Sequence, residues 1–82
     1  MTLADLSTGQ HARITSIDTS QPGVVRLMVL GLVEGTIVKH LHAAIGGDPL
    51  ELELMGTALS VRREQARHFE VEPFGPASEI RP

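Results

Sequence analysis

The sequence predicts an all-β protein: a small five-stranded barrel, with one short helix between strands 1 and 2 and a one-turn element before the last strand. Three observations predict it. Apolar and polar residues alternate with period two in several short runs, most plainly in "LELELM" at 50–55, and that period belongs to a half-buried strand. Clusters of turn formers separate the runs: "STG" at 7–9, "TSQPG" at 19–23, "IGGDP" at 45–49 and "MGT" at 55–57. The chain has 82 residues, enough for one small domain and not two.

The elements follow in order. "TLADL" is a short turn that Thr2 can cap, with Asp5 at the capping-box position and Leu3 and Leu6 on one face. "QHARITSID", 10–18, is the first strand, with Ala12, Ile14 and then Ser16 on one face. "VVRLMVLG", 24–31, is ambiguous by periodicity between a buried strand and a short helix. Leu27 and Leu30 recur at helical spacing and Gly31 suits a left-handed cap, so it reads as one to two turns of helix over 24–30. "TIVKHLHAA", 36–44, is a strand with Val38, His40 and His42 on one face. "LELELM" turns Leu50, Leu52 and Leu54 inward and Glu51 and Glu53 outward. "ALSVR" is the fourth strand, "REQA" a single turn, and "RHFEVE" the last strand, with Phe69 and Val71 on one face. Residues 1–73 form the domain, and 74–82, rich in Pro, Gly and Ser, read as a flexible tail. At this size, five strands packed as two close sheets predict an SH3-like barrel.

Composition excludes several function classes. There is no cysteine, hence no disulfide, thiolate zinc site or thiol nucleophile. The net charge is −3, whereas nucleic-acid binders carry a basic surplus or face. Phe69 and Phe74 are the only aromatics, too few for an aromatic groove that docks proline-rich peptides or for stacking on single strands. No apolar run spans a bilayer, and "MTLADL" lacks the features of a signal peptide. No nucleophile elbow, phosphate loop or His-Glu-x-x-His is present, so no enzyme activity is expected.

Three stretches together resemble the FeoA family, small proteins encoded with bacterial ferrous iron transporters. They are "LADLSTGQHARI", "RLMVLGLVEGTIV" with its Gly-Leu-x-x-Gly, and "GGDPLELELMGTALSVRREQARHFEVE". The ordered set covers about residues 3–73 and is more specific than any one motif. The resemblance implies an SH3-like barrel in the cytoplasm, recruited to the inner face of the membrane. It implies an accessory role in ferrous iron uptake, binding and modulating the cytoplasmic GTPase part of a FeoB-like transporter, and it leaves room for a homodimer. No direct membrane insertion and no nucleic acid are implied. The chain departs from the family pattern at Val29, Glu34, His40 and Ile45, where the family usually has an acidic or small residue, Pro, an apolar residue and Pro, respectively.

Candidate sites fall in two groups. For partner binding, a short helix with Leu27 and Leu30 inward turns Val25 and Val29 outward, with Arg26 nearby. Leu32 and Glu34 belong to the same 29–34 surface. Arg62 and Arg63, with Arg67, could meet an acidic surface or simply line a solvated turn. For metal, His40 and His42 at i and i+2 share a strand face, and two neutral imidazoles at that spacing can share zinc or nickel. A third ligand has to come from Glu51 or Glu53 across the hairpin, from His11 or His68, or from a second chain. Ferrous iron favours two histidines and a carboxylate on one face, a triad the sequence does not show. No cofactor is required, and zinc or iron is the metal this pair would take. His40 is therefore either tucked under the barrel or half of a His pair.

Overall fold

The structure is a computed structural model and describes residues 1–74. The tail assigned to 74–82 lies outside it except for Phe74, which continues the last strand. A 3-10 turn at Leu3–Asp5 opens the chain. It is followed by β1 (His11–Ile17), α1 (Val24–Val29), β2 (Ile37–Ala43), β3 (Leu50–Leu54), β4 (Thr57–Val61), a one-turn helix α2 (Arg63–Ala66) and β5 (Phe69–Phe74). Every ladder is antiparallel, and the strands lie in the order β4-β3-β2-β1-β5. They form one five-stranded sheet, not the two close sheets expected from the sequence. Among the described residues no ladder joins the edge strands β4 and β5, so the barrel is not closed.

The core follows the alternation read from the sequence. Leu50, Leu52 and Leu54 are all buried, with Glu51 and Glu53 between them turned outward. Ala12 and Ile14 from β1, Val38 from β2, Val61 from β4, and Phe69 and Val71 from β5 join them. Leu3 and Leu6 close one end, held by the Thr2–Asp5 capping box, in which the Thr2 N–H donates to Asp5 Oδ2 at 2.8 Å. Val24 and Leu27 of α1 and Ala66 of α2 cover the rest.

Two local features interrupt the period. The β1–β5 register shifts between Ile14 and Ser16, so Ser16 faces Glu70 and Ile17 faces Phe69. Ser16 is exposed, and Ile17 packs against the core in the place the strict alternation gave to Ser16. A bulge adds one residue and reverses the faces beyond it. The second shift lies in β2 between His40 and His42. The β3–β4 connection is a two-residue turn at Met55 and Gly56, with φ of 52° and 80°. Two positive φ values suit the twist of an antiparallel hairpin.

Candidate functional site

Helix α1 presents one apolar face to the core and another to solvent. Gly23 precedes it in the left-handed conformation, and the helix ends in a Schellman motif. The Leu32 N–H donates to the Leu27 carbonyl at 3.1 Å, and the Gly31 N–H to the Met28 carbonyl at 3.0 Å. Gly31 has φ 118°, and a Cβ there would sit 2.9 Å from Leu54 Cδ1. Glycine is required both for the dihedral and for the close approach.

This ending changes two expectations. Leu30 is the residue at which the helix stops, and it is 50% exposed instead of inward. Leu32 emerges from the turn beside Leu27 and is 0% exposed. Leu32 therefore belongs to the core and is not a surface contact residue. The motif normally pairs these two positions as an apolar contact, and that pairing is legible in "LMVLGL" once Gly31 is placed at the cap.

The outward face holds Val25 and Val29, four residues apart and so neighbours on the helix surface. Val29 is 81% exposed, and Arg26 and Glu34 are also exposed. Val33 and Ile37 continue the exposed apolar surface along the chain. Beside it, Leu30, Gly31, Leu54, Met55, Thr57 and Leu59 line a groove of about 230 Å³ between the end of α1 and the β3–β4 hairpin. Among the described residues no charged side chain lines it. The sequence reading did not find this groove, because Leu30 and Leu54 come from elements distant in the chain.

The two arginines assigned to partner contact behave differently. Arg63 is a clamp. Its Nε and Nη2 donate to the Gly47 carbonyl at 3.1 and 2.8 Å, and its Nη1 donates to the Ala4 carbonyl at 2.6 Å. Its backbone N–H donates to Asp48 Oδ1 at 2.9 Å. This last bond satisfies a helix N-terminal donor for which Arg62, the N-cap residue, has no side-chain acceptor. Arg63 thus ties α2, the β2–β3 loop and the N-terminal turn together, and its guanidinium is turned to backbone. Arg62 remains exposed, 3.9 Å from Asp48 Oδ2.

The histidine pair is split. In the β2–β3 ladder His40 faces Leu52 but His42 faces Glu51. Leu41 is the extra residue of a bulge, so the two rings leave from opposite faces. His42 is exposed, whereas His40 is 4% exposed and, among the described residues, neither of its ring nitrogens has a hydrogen-bond partner. The shared ion that strict alternation allowed has no geometry here. Among the described residues no three His, Asp or Glu side chains are grouped to hold a metal. His11 and His68 are half-buried and complete no such group.

Fold and surface define the class first: a small antiparallel β domain of the SH3 type, with short helical turns in two of its connections. The chain belongs to the FeoA family, whose FeoA domain model matches residues 1–73. Solved structures agree. A FeoA protein from Chlorobium tepidum is 38% identical, with a TM-score of 0.82 over 92% of this chain and 71% of that one. Iron(II) transport protein A from Clostridium thermocellum is 29% identical, with a TM-score of 0.82 over 89% of this chain and 45% of that one. Stenotrophomonas maltophilia FeoA in complex with zinc is 28% identical, with a TM-score of 0.76 over 88% of this chain and 89% of that one. That protein is described as a procaryotic SH3 domain protein and a candidate ferrous iron transport activating factor. No curated protein sequence matches this chain. The family is an accessory one linked to ferrous iron transport. No helix among the described residues is long and apolar enough to cross a membrane.

Proposed function

We propose that this protein is a non-enzymatic accessory factor of bacterial ferrous iron uptake. It binds the cytoplasmic GTPase part of the membrane ferrous iron transporter and biases that partner's cycle. Its place is the cytoplasm, at the inner face of the membrane when bound. The observation that carries the reading is the outward apolar face of α1, Val25 and Val29, with Arg26 exposed on the same helix and Glu34 exposed in the turn that follows, on a chain of the FeoA family. Adjacent exposed valines on a short helix are an anchor for a partner groove. Arg62 gives a separate, exposed positive charge for the rim of such a contact. Leu32 lies in the core and the Arg63 guanidinium is engaged by the Gly47 and Ala4 carbonyls, so neither is assigned to the contact.

The test is binding of the purified protein to the transporter's cytoplasmic part at micromolar concentration, by calorimetry. Wild type binds, and a Val25→Glu, Val29→Glu double variant, which keeps the core intact, loses at least about tenfold in affinity, or roughly 1.4 kcal/mol. Absence of wild-type binding, or equal binding by the double variant, rejects this reading.

A further inference from the structure

The two edges of the sheet are finished differently. At β5 the chain covers its own edge: the Val71 N–H donates to the Met1 carbonyl at 2.9 Å, and Thr2 bridges to Glu70. That strand also carries Glu70, Glu72 and Pro73, which discourage a further strand from pairing. At the other edge, among the described residues, β4 pairs with β3 alone. Its sequence, Thr-Ala-Leu-Ser-Val, has neither charge nor proline, and an edge of that kind is a template for another strand. The groove beside α1 reaches this strand, with Thr57 and Leu59 of β4 in its lining.

We propose that β4 is a self-association edge, where a second copy of this chain adds its own β4 antiparallel to Thr57–Val61. The strand that this edge calls for, uncharged and with a large apolar residue at its centre, is β4 itself. A two-fold pairing centred on Leu59 sets Leu59 against Leu59 of the second copy. Thr57 then meets Val61, and Ala58 meets Ser60. In the β3–β4 ladder Leu59 lies opposite the buried Leu52, so the paired leucines extend the core face and close the open side of the groove.

Charge does not oppose this pairing. On the outer face Glu53 lies opposite Ala58 and Glu51 opposite Ser60. One row of the joined sheet then reads Glu53, Ala58, Ser60 and Glu51, the last two from the second copy. Three strand spacings part the carboxylates, about 14 Å, which exceeds the Debye length of about 8 Å at physiological ionic strength. A five-residue ladder is small for an interface, so the dimer is weak and reversible. This inference does not rest on the transport reading, because it concerns β4 and not the outward face of α1.

A dilution series tests it, by sedimentation and by amide resonances of the purified protein, from about 1 mM to about 10 µM. The expected result is a dimer that dissociates on dilution. Amide shifts are confined to Thr57–Val61 and to groove residues such as Leu30 and Met55. Leu59→Lys sets like charges against each other across the axis and abolishes the shifts, while Val25→Lys leaves them unchanged. A monomer at every concentration overturns the proposal. So does association that maps to α1, or that survives Leu59→Lys in a folded variant. If Leu59→Lys unfolds the chain, the wild-type shift map decides alone.

Discussion

Replacing His40 by leucine is expected to make the protein more stable. His40 is 4% exposed and sits on the core face of β2, opposite Leu52. Among the described residues neither ring nitrogen has a hydrogen-bond partner. A buried polar group left unpaired costs about 1–3 kcal/mol, and leucine has a similar volume without that cost. The backbone is not disturbed, because the His40 N–H donates to the Gln10 carbonyl at 3.0 Å and the His40 carbonyl accepts from the Gly9 N–H at 2.6 Å whatever the side chain. His40→Leu should therefore gain about 1–3 kcal/mol, on the order of 4–24 °C in melting temperature for a domain of this size. His40→Ala separates the two contributions. It removes the unpaired nitrogens but leaves a void, so it should fall at least about 2 kcal/mol below the leucine variant. With no tryptophan or tyrosine in the chain, the measurement is urea unfolding followed by far-ultraviolet circular dichroism. A leucine variant less stable than wild type by 1 kcal/mol or more (roughly the net worth of a satisfied hydrogen bond) would refute the argument, since the ring would then be making a polar contact.

Further outcomes follow from the same geometry. Leu32→Ala should cost about 2–5 kcal/mol as a core truncation, whereas Val29→Ala should change stability by under about 0.5 kcal/mol; denaturant midpoints separate them. Gly31→Ala should cost on the order of 1–3 kcal/mol from its positive φ and the Leu54 contact. Arg63→Ala should cost about 2–3 kcal/mol, since three guanidinium contacts to carbonyls disappear, while Arg62→Ala should be nearly silent as an exposed pair. The acid limb should carry a signature of two aspartates. The Thr2 backbone N–H holds the Asp5 carboxyl below its ordinary value, and the Ser20 hydroxyl does the same for Asp18. A lowered folded value means that the unfolded chain takes up the proton first. Their contribution is then complete above about pH 4 and is lost as the pH falls through the folded values. Asp5→Asn with Asp18→Asn should flatten the loss of stability between neutral and acid pH, and a steeper loss would contradict the assignment.

The period of two determined the interior. Leu50, Leu52, Leu54, Phe69 and Val71 were assignable to the core from alternation alone, because each strand has one face against apolar neighbours and one against water. Turn chemistry determined the connections, since Gly31 and Gly56 mark backbone that L side chains rarely adopt. The ordered motifs also carried the family, through spacing that the fold requires. Neither signal reaches a bulge. One extra residue at Thr15 and another at Leu41 reverse the faces that follow, and such a residue is set by pairing with a neighbouring strand that local sequence does not name.

That is why the apparent metal pair came apart, with His40 turned into the core and His42 turned to water. Arg62 and Arg63 are adjacent and of one charge, yet only tertiary structure brings the Gly47 and Ala4 carbonyls to Arg63 and leaves Arg62 at the surface. Leu30 and Leu32 exchanged places for a related reason. Helical spacing alone points Leu30 inward, but the Schellman turn, in which the Leu32 N–H donates to the Leu27 carbonyl, carries Leu32 to the core and leaves Leu30 exposed. The sequence by itself determined which residues must be buried in each regular strand. The long-range pairing of strands decided the phase at each irregularity, and with it which polar side chains remain free to act.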